Sequence, residues 1–228
     1  MPVQSPTSID DRGLLESVNV GGPRPISRRG REEMTSIWKS PVAGRVAVCG
    51  VNVAGDVQSD PRFHGGADKA VYAYGCADYE WWAEELGRSL EPGAFGENLT
   101  VRGIAVSEAV VGEQWRVGTV LLEVAQPRIP CFKLGIRMGD PRFVKRFARA
   151  HRPGAYLRIV QEGELAAGDL VEVLHRPGHG VTVAEVAQAQ MGDRAALARL
   201  PSAPELPQPW QEWAREQLSS KGRDTTEV

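Results

Sequence analysis

The chain has 228 residues, 42% of them hydrophobic and 25% charged, with a formal net charge of −2. Such a chain can bury a sizeable core without disulfide or metal staples. It carries no overall field that would draw nucleic acid or a membrane surface, so an anion site has to be a local cluster. Its three cysteines, Cys49, Cys76 and Cys131, form no CxxC and no zinc spacing, which points to a reducing compartment. The start "MPVQSPTSIDD" lacks the basic and apolar regions of a signal peptide. No apolar run approaches the roughly 18 residues of a membrane helix. A soluble, cytoplasmic protein without nucleic-acid or membrane partners is the expectation.

Residues 1–12 are polar and read as a disordered N-terminus. "LLESVNVGG" (14–22) has strand character and ends in a glycine turn. "PRPISRRGREEMTS" (23–36), rich in Pro, Arg and Gly, reads as a mobile loop; its two glutamates dilute the basic charge and no aromatics interleave it. "RVAVCGVNVAGD" (45–56) reads as a strand, and a loop over 57–69 feeds another at 70–74. In "ADYEWWAEELG" (77–87), Tyr79, Trp82 and Leu86 recur at helical spacing and Gly87 suits the stop. "NLTV", "EQWRVGTVLLEVAQP" and "AYLRIVQEGELAAGDLVEVLHRP" read as strands with glycine turns. "GDPRFVKRFARA" (139–150) begins with a cap and a first-turn proline, and Phe143 and Phe147 lie one turn apart. The body, 13–175, is therefore mainly β with two short helices, a sandwich or a closed barrel.

"HRPGHG" (175–180) reads as a linker. Thr182 with Glu185 makes a capping box, and Val181 with Val186 a hydrophobic staple. Asp193 caps a second helix ending before Pro201, and Gln208-Pro209 starts a third. A small three-helix unit over 181–218, followed by a disordered tail over 219–228, completes the organisation.

Three stretches could carry chemistry. In "QPRIPCFKLG" (126–135), Pro127 and Pro130 interrupt sheet pairing and place Cys131 on a shaped loop. Arg128 and Lys133 flank it and would favour a thiolate, which is a nucleophile and a soft metal ligand. Buried apolar filler is the opposing reading, since free cysteines commonly pack as small hydrophobes. In "DPRFHGGADKAV" (60–71), Gly65 and Gly66 permit close backbone approach, and Arg62 and Lys69 supply charge for an anion. His64 is equally a turn histidine bonded to backbone. A metal site from Asp60, His64 and Asp68 is disfavoured, because the glycines oppose the helix that spacing needs. In "PGAFGENLTV" (92–101), Asn98 could read a heterocycle edge, or simply make a turn bond. GxGxxG, P-loop, GxSxG and HExxH patterns are absent.

Taken in order and spacing, "IWKSPVAGRV", "HGGADKAVYAYG", "PGAFGENLT", "PRIPCFKLGIRMGDP" and "GAYLRIV" resemble MOSC-domain proteins, named for the C-terminal domain of molybdenum cofactor sulfurase, and most closely the YiiM type. The resemblance covers roughly 13–174, and the tail is similar to that type's three-helix extension. It implies a MOSC-type β-barrel, a molybdenum–pyranopterin cofactor and reduction of N-hydroxylated compounds, hydroxylamino nucleobases among them. It makes Cys131 the expected molybdenum ligand. On that basis Lys69, Arg128, Lys133 and Arg137, with Gly65 and Gly66, are the candidates for the cofactor's phosphate. Glu97 and Asn98 are candidates for the pterin or the substrate, and His64 for the proton donor. No flavin, nicotinamide or iron–sulfur motif is present, so electrons would come from an external flavoprotein or ferredoxin. The helical tail could dock that donor or cover one end of the barrel; a monomer and a dimer are both open. Two other roles use the same fold: a sulfur carrier with a Cys131 persulfide, and a non-enzymatic cofactor-binding module.

Overall fold

The computed structural model describes residues 11–28, 30–60 and 65–220. The expected disorder of 1–10 and 221–228 lies outside these residues, as do His64 and Arg62. Arg12 already belongs to a strand, and Ser219 and Ser220 to a helix.

Seven strands close into a barrel. In chain order they are β1 (Arg12–Val20), β7 (Val71–Gly75), β8 (Leu99–Arg102), β9 (Gln114–Val117), β10 (Val120–Pro127), β11 (Ala155–Gln161) and β13 (Leu170–His175). Their order around the wall is β13-β9-β10-β11-β7-β8-β1, and β1 pairs back onto β13 through Leu14↔Leu170 to shut the ring. Closure removes the exposed edges that an open sheet would present. All neighbours are antiparallel except β7 and β8, which run parallel. The short β4 (Ser40–Pro41) extends β1. A small sheet joins β12 (Gly163–Leu165), β5 (Val46–Cys49) and β6 (Asn52–Val53).

Two expectations are corrected here. The Pro/Arg-rich stretch 23–36 is a hairpin, β2 (Arg24–Arg28) against β3 (Arg31–Thr35), with Gly30 at φ 75° in the turn. Its polar, exposed strands satisfy their backbone groups by pairing with each other and carry little of the apolar alternation that marks a strand in sequence. The stretch 45–56 is likewise two strands, β5 and β6, because Gly50 at φ 60° turns the chain back.

The barrel interior is aliphatic, built from Leu15, Val71, Ala73, Leu99, Val101, Val117, Leu122, Val124 and Leu157 around Trp115. Full burial of each large side chain contributes roughly 1.5–3 kcal/mol before entropy is charged. The two-residue period of β7 sends Val71 and Ala73 inward and Tyr72 and Tyr74 to the other face, where a second, aromatic cluster forms. That cluster is completed by α1 (Cys76–Leu86), α2 (Phe132–Met138) and α3 (Phe143–Arg149). Trp82 of α1 stacks on Phe147 of α3, centroids 5.9 Å apart and planes 3° apart. Gly87, left-handed at φ 62°, ends α1 as its sequence suggested. Among the described residues the body thus has three α-helices where two were expected; α2 was missed because its seven residues follow two prolines and carry too short a pattern.

The C-terminal helices are α4 (Val183–Gln190), α5 (Arg194–Arg199) and α6 (Gln208–Ser220). Thr182 and Glu185 form the capping box at α4, and Asp193 caps α5 by accepting from the Ala195 and Ala196 amides. Val181, Val183, Val186, Leu200, Leu206 and Ala214 belong to the same apolar cluster as the barrel interior. The backbone joins too: Val111 donates to the Val181 carbonyl at 3.0 Å and Val183 to that of Ala109 at 3.0 Å.

Because β11 runs antiparallel to both neighbours, its start lies beside the ends of β10 and β7, with Ala155 pairing to Pro127 and to Ala73. Tyr72 and Tyr156 leave this part of the wall on the face away from the barrel interior, and the chemistry-bearing side chains gather against them.

Candidate active site

β10 ends at Pro127, after a register shift between Val124 and Gln126 that bends the strand out of its ladder with β11. The chain then runs through Arg128, Ile129 and Pro130 to Cys131, which is extended at φ −120°, ψ 173° and precedes α2. The Cys131 carbonyl accepts from the Leu134 amide at 3.0 Å, which fixes the turn. Cys131 is half-buried and lines two adjoining cavities, an inner recess of about 90 Å³ and an outer cleft of about 680 Å³. It is therefore a presented thiol. Cys76, by contrast, is buried, and burial pushes its pKa up to about 11 against the opposing pull of Arg102. Cys49 is exposed.

Four cations line the inner recess, Lys39, Lys69, Arg128 and Lys133, against two carboxylates, Asp56 and Asp60. Lys39 and Asp56 form a buried ion pair. Burial lowers the Lys39 pKa, and Asp56 opposes the shift. Asp56 also accepts from the Gly21 amide at 2.9 Å and from Asn98 Nδ2 at 2.9 Å. Lys133 Nζ donates to the Met34 carbonyl at 3.3 Å and faces Asp60 Oδ2 at 3.5 Å. Arg128 is buried, donates to the Phe95 carbonyl and sits 5.1 Å from the Tyr72 ring centroid. Its charge also acts on Cys131. Burial lowers the Lys69 pKa, with Asp68 opposing. The recess is thus a positively biased pocket with a thiol at its rim, suited to an anion.

Several residues singled out from sequence converge here. Cys131, Lys69 and Lys133 line both cavities, Arg128 and Asn98 the recess, and Gly65 and Gly66 the outer cleft. Gly66, at φ 91°, donates its amide to Gln58 Oε1 at 3.1 Å. Asn98 reaches the recess with its amide already engaged: Nδ2 donates to Asp56 and to the Asn19 carbonyl at 3.3 Å, and Oδ1 accepts from the Tyr72 amide at 3.1 Å.

Glu97 and Arg137 line neither cavity. Glu97 is fully buried and accepts from Tyr79 Oη, from Thr100 Oγ1 at 2.9 Å, and from the Gly93 and Phe95 amides at 2.6 and 3.2 Å. Burial raises its pKa while those donors oppose the shift. Glu97 lies in the loop before β8, and its carboxylate folds back onto the amides of its own 93–95 turn rather than toward the recess. Arg137 lies on α2 near Tyr79 and Glu97, where burial lowers its pKa. The disfavoured metal reading of Asp60, His64 and Asp68 includes His64, which lies outside the described residues; Asp68 itself pairs with Arg158 at 2.5 Å.

Sequence reasoning missed Lys39, Asp56, Tyr72, Tyr156 and Trp210 as lining residues. Lys39 sits in "IWKSPVAGRV", but its partner Asp56 is 17 residues on, and no local spacing links them.

A family model described as "MOSC domain" matches residues 60–172. YflK of Bacillus subtilis (strain 168) is 36% identical over 173 residues, 76% of this chain and 78% of that one. The crystal structure of YiiM from Geobacillus stearothermophilus superposes with a TM-score of 0.73 and 31% identity, covering 90% of this chain and 99% of that one. The chain belongs to the MOSC family, in its YiiM type. A protein of Gibberella moniliformis (strain M3125 / FGSC 7600) called "Reductase" is 33% identical over 184 residues, 78% of this chain but 32% of its own length. The stretch that the MOSC model matches holds Cys131, Lys69, Arg128 and Lys133. Lys39, Asp56 and Trp210 stand outside it and complete the walls from either side.

Proposed function

We propose that this MOSC protein is a reductase of N-hydroxylated compounds, hydroxylamino nucleobases among them, working with a molybdenum–pyranopterin cofactor held through Cys131. The observation that carries the reading is the position of Cys131, a half-buried thiol shared by a cation-lined recess and a larger open cleft. The donor set fits the group. One soft sulfur suits molybdenum, and no further protein ligands are gathered because the pterin would supply the others. Lys39, Arg128 and Lys133 suit the cofactor's phosphate, with Arg128 able to engage two oxygens. The fungal relative called "Reductase" agrees with redox chemistry.

When bound, the cofactor supplies a centre that passes two electrons. The protein's part is to hold, orient and desolvate. The net change is R–NHOH plus two electrons and two protons giving R–NH2 and water, with electrons from an external flavoprotein or ferredoxin. His64 is the candidate proton donor, and Lys133, beside Asp60 and lining both cavities, is kept for the phosphate. A cytoplasmic location follows from the need for a reduced thiol and a soluble donor.

The test is elemental analysis of the wild type beside Cys131→Ala, both from a host that makes the cofactor. About one molybdenum per chain in the wild type, lost in the variant together with reduction of 6-hydroxylaminopurine by a chemical donor, is expected. Equal molybdenum in both removes the ligand. Cyanide-labile sulfur on Cys131 without metal replaces the reductase by a sulfur carrier.

A further inference from the structure

The two cavities beside Cys131 differ in chemistry. The recess is lined by four cations, whereas the outer cleft adds a group of apolar side chains, Pro127, Phe132, Pro207, Pro209 and Trp210, to its lining. Three of these come from the C-terminal segment, beyond the stretch that defines the family.

That lining is held in place by two barrel side chains. Gln126 of β10, almost fully buried, accepts from Trp210 Nε1 at 2.7 Å and donates to the Asp68 carbonyl at 3.1 Å. Arg158 of β11 bonds the Asp68 carboxylate, Glu123 at 2.7 Å and the Glu205 carbonyl at 2.9 Å. Each therefore ties the 67–69 turn on one side of the cleft to the 205–210 segment on the other. Trp210 is further braced edge-on by Trp213, centroids 5.5 Å apart. A half-buried indole fixed at its N–H and against a second ring has little entropy left to lose on binding.

We infer that Trp210 is a specificity-determining residue, which positions planar aromatic substrates in the outer cleft with the N-hydroxyl group toward Cys131 and disfavours small aliphatic ones. The inference rests on the reductase reading for the direction of chemistry but not for binding. An aromatic side chain under a base strengthens binding by about 10-fold or more.

The experiment compares the full-length wild type with Trp210→Leu, which keeps apolar bulk without a π-face, and Trp210→Phe, which restores a ring without the N–H. Equilibrium dialysis with adenine is the first arm. Wild type binds, Trp210→Leu binds about 10-fold more weakly, and Trp210→Phe recovers most of the difference. The second arm takes the ratio of kcat/KM for 6-hydroxylaminopurine to that for N-methylhydroxylamine. The ratio falls about 10-fold in Trp210→Leu, through KM more than kcat, and returns in Trp210→Phe. Adenine binding unchanged in Trp210→Leu, absent from the wild type, or equally weak in both variants overturns the inference. So does an equal loss on both substrates. Adenine binding that depends on Trp210 in a protein without molybdenum sinks the reductase reading alone.

Discussion

Two loops joined by the hydrogen bond from Arg128 to the Phe95 carbonyl make an instructive pair. The 92–98 loop and the 127–131 loop are both rich in proline or glycine, and each carries a residue of chemical promise, Glu97 and Cys131. Glu97 spends its carboxylate on four donors within the protein, all at short range. Cys131 spends its carbonyl on the fold and leaves its sulfur to the cavities. A polar residue whose bonding capacity is exhausted inside the chain is scaffold. One whose reactive atom is left over beside a cavity is a candidate site.

The contrast breaks first on stability. Glu97→Ala strands the Tyr79 and Thr100 hydroxyls and the Gly93 and Phe95 amides in the interior. About 3–5 kcal/mol is expected to be lost, which is about 10 °C in Tm for a chain of this size, measured by thermal melting. Cys131→Ala is expected to keep its Tm while losing metal. A Glu97→Ala protein that melts like the wild type would erase the distinction.

Thiol reactivity sharpens the comparison next. With its pKa pushed up to about 11, Cys76 has little thiolate at pH 8. Its alkylation by iodoacetamide is expected to run on the order of 100-fold slower than that of an ordinary free thiol. Peptide mapping should find Cys131 labelled well ahead of it. Because the raised pKa keeps the thiol protonated, the gap closes as pH climbs from 8 through 11.

The smallest effect belongs to Arg137. Its Nε is buried without a hydrogen-bond partner, and it lines neither cavity. Arg137→Met is expected to shift stability by less than about 1 kcal/mol, since no buried partner is left behind. Molybdenum content should match the wild type; a marked loss would return Arg137 to the site.

Local signals carried much of the architecture. The Thr182–Glu185 box, the Asp193 cap and the Gly87 stop are decided within four residues, so they were readable as written. The β2–β3 hairpin was not, because its strands are too polar and exposed to alternate. As lining of the candidate site, Cys131, Lys69, Arg128 and Lys133 were legible because their loops carry prolines, glycines and charge together. Lys39, Asp56 and Trp210 were not, since Asp56 meets Lys39 and Asn98 at separations of 17 and 42 residues, and Trp210 meets Gln126 at 84. Glu97 lines neither cavity because its loop carboxylate turns back onto the Gly93 and Phe95 amides, a fold-back that composition alone does not reveal.

The ring is completed by its first and last strands, Leu14 against Leu170. During synthesis the opening strand can pair early with β4 and β8, but its other side must wait until β13 has left the ribosome. The entropy of joining such distant partners has to be met before the contact rewards it, which favours slow, late and all-at-once closure. A nascent chain stalled before residue 170 would expose one side of its opening strand, making it a natural client for holding chaperones.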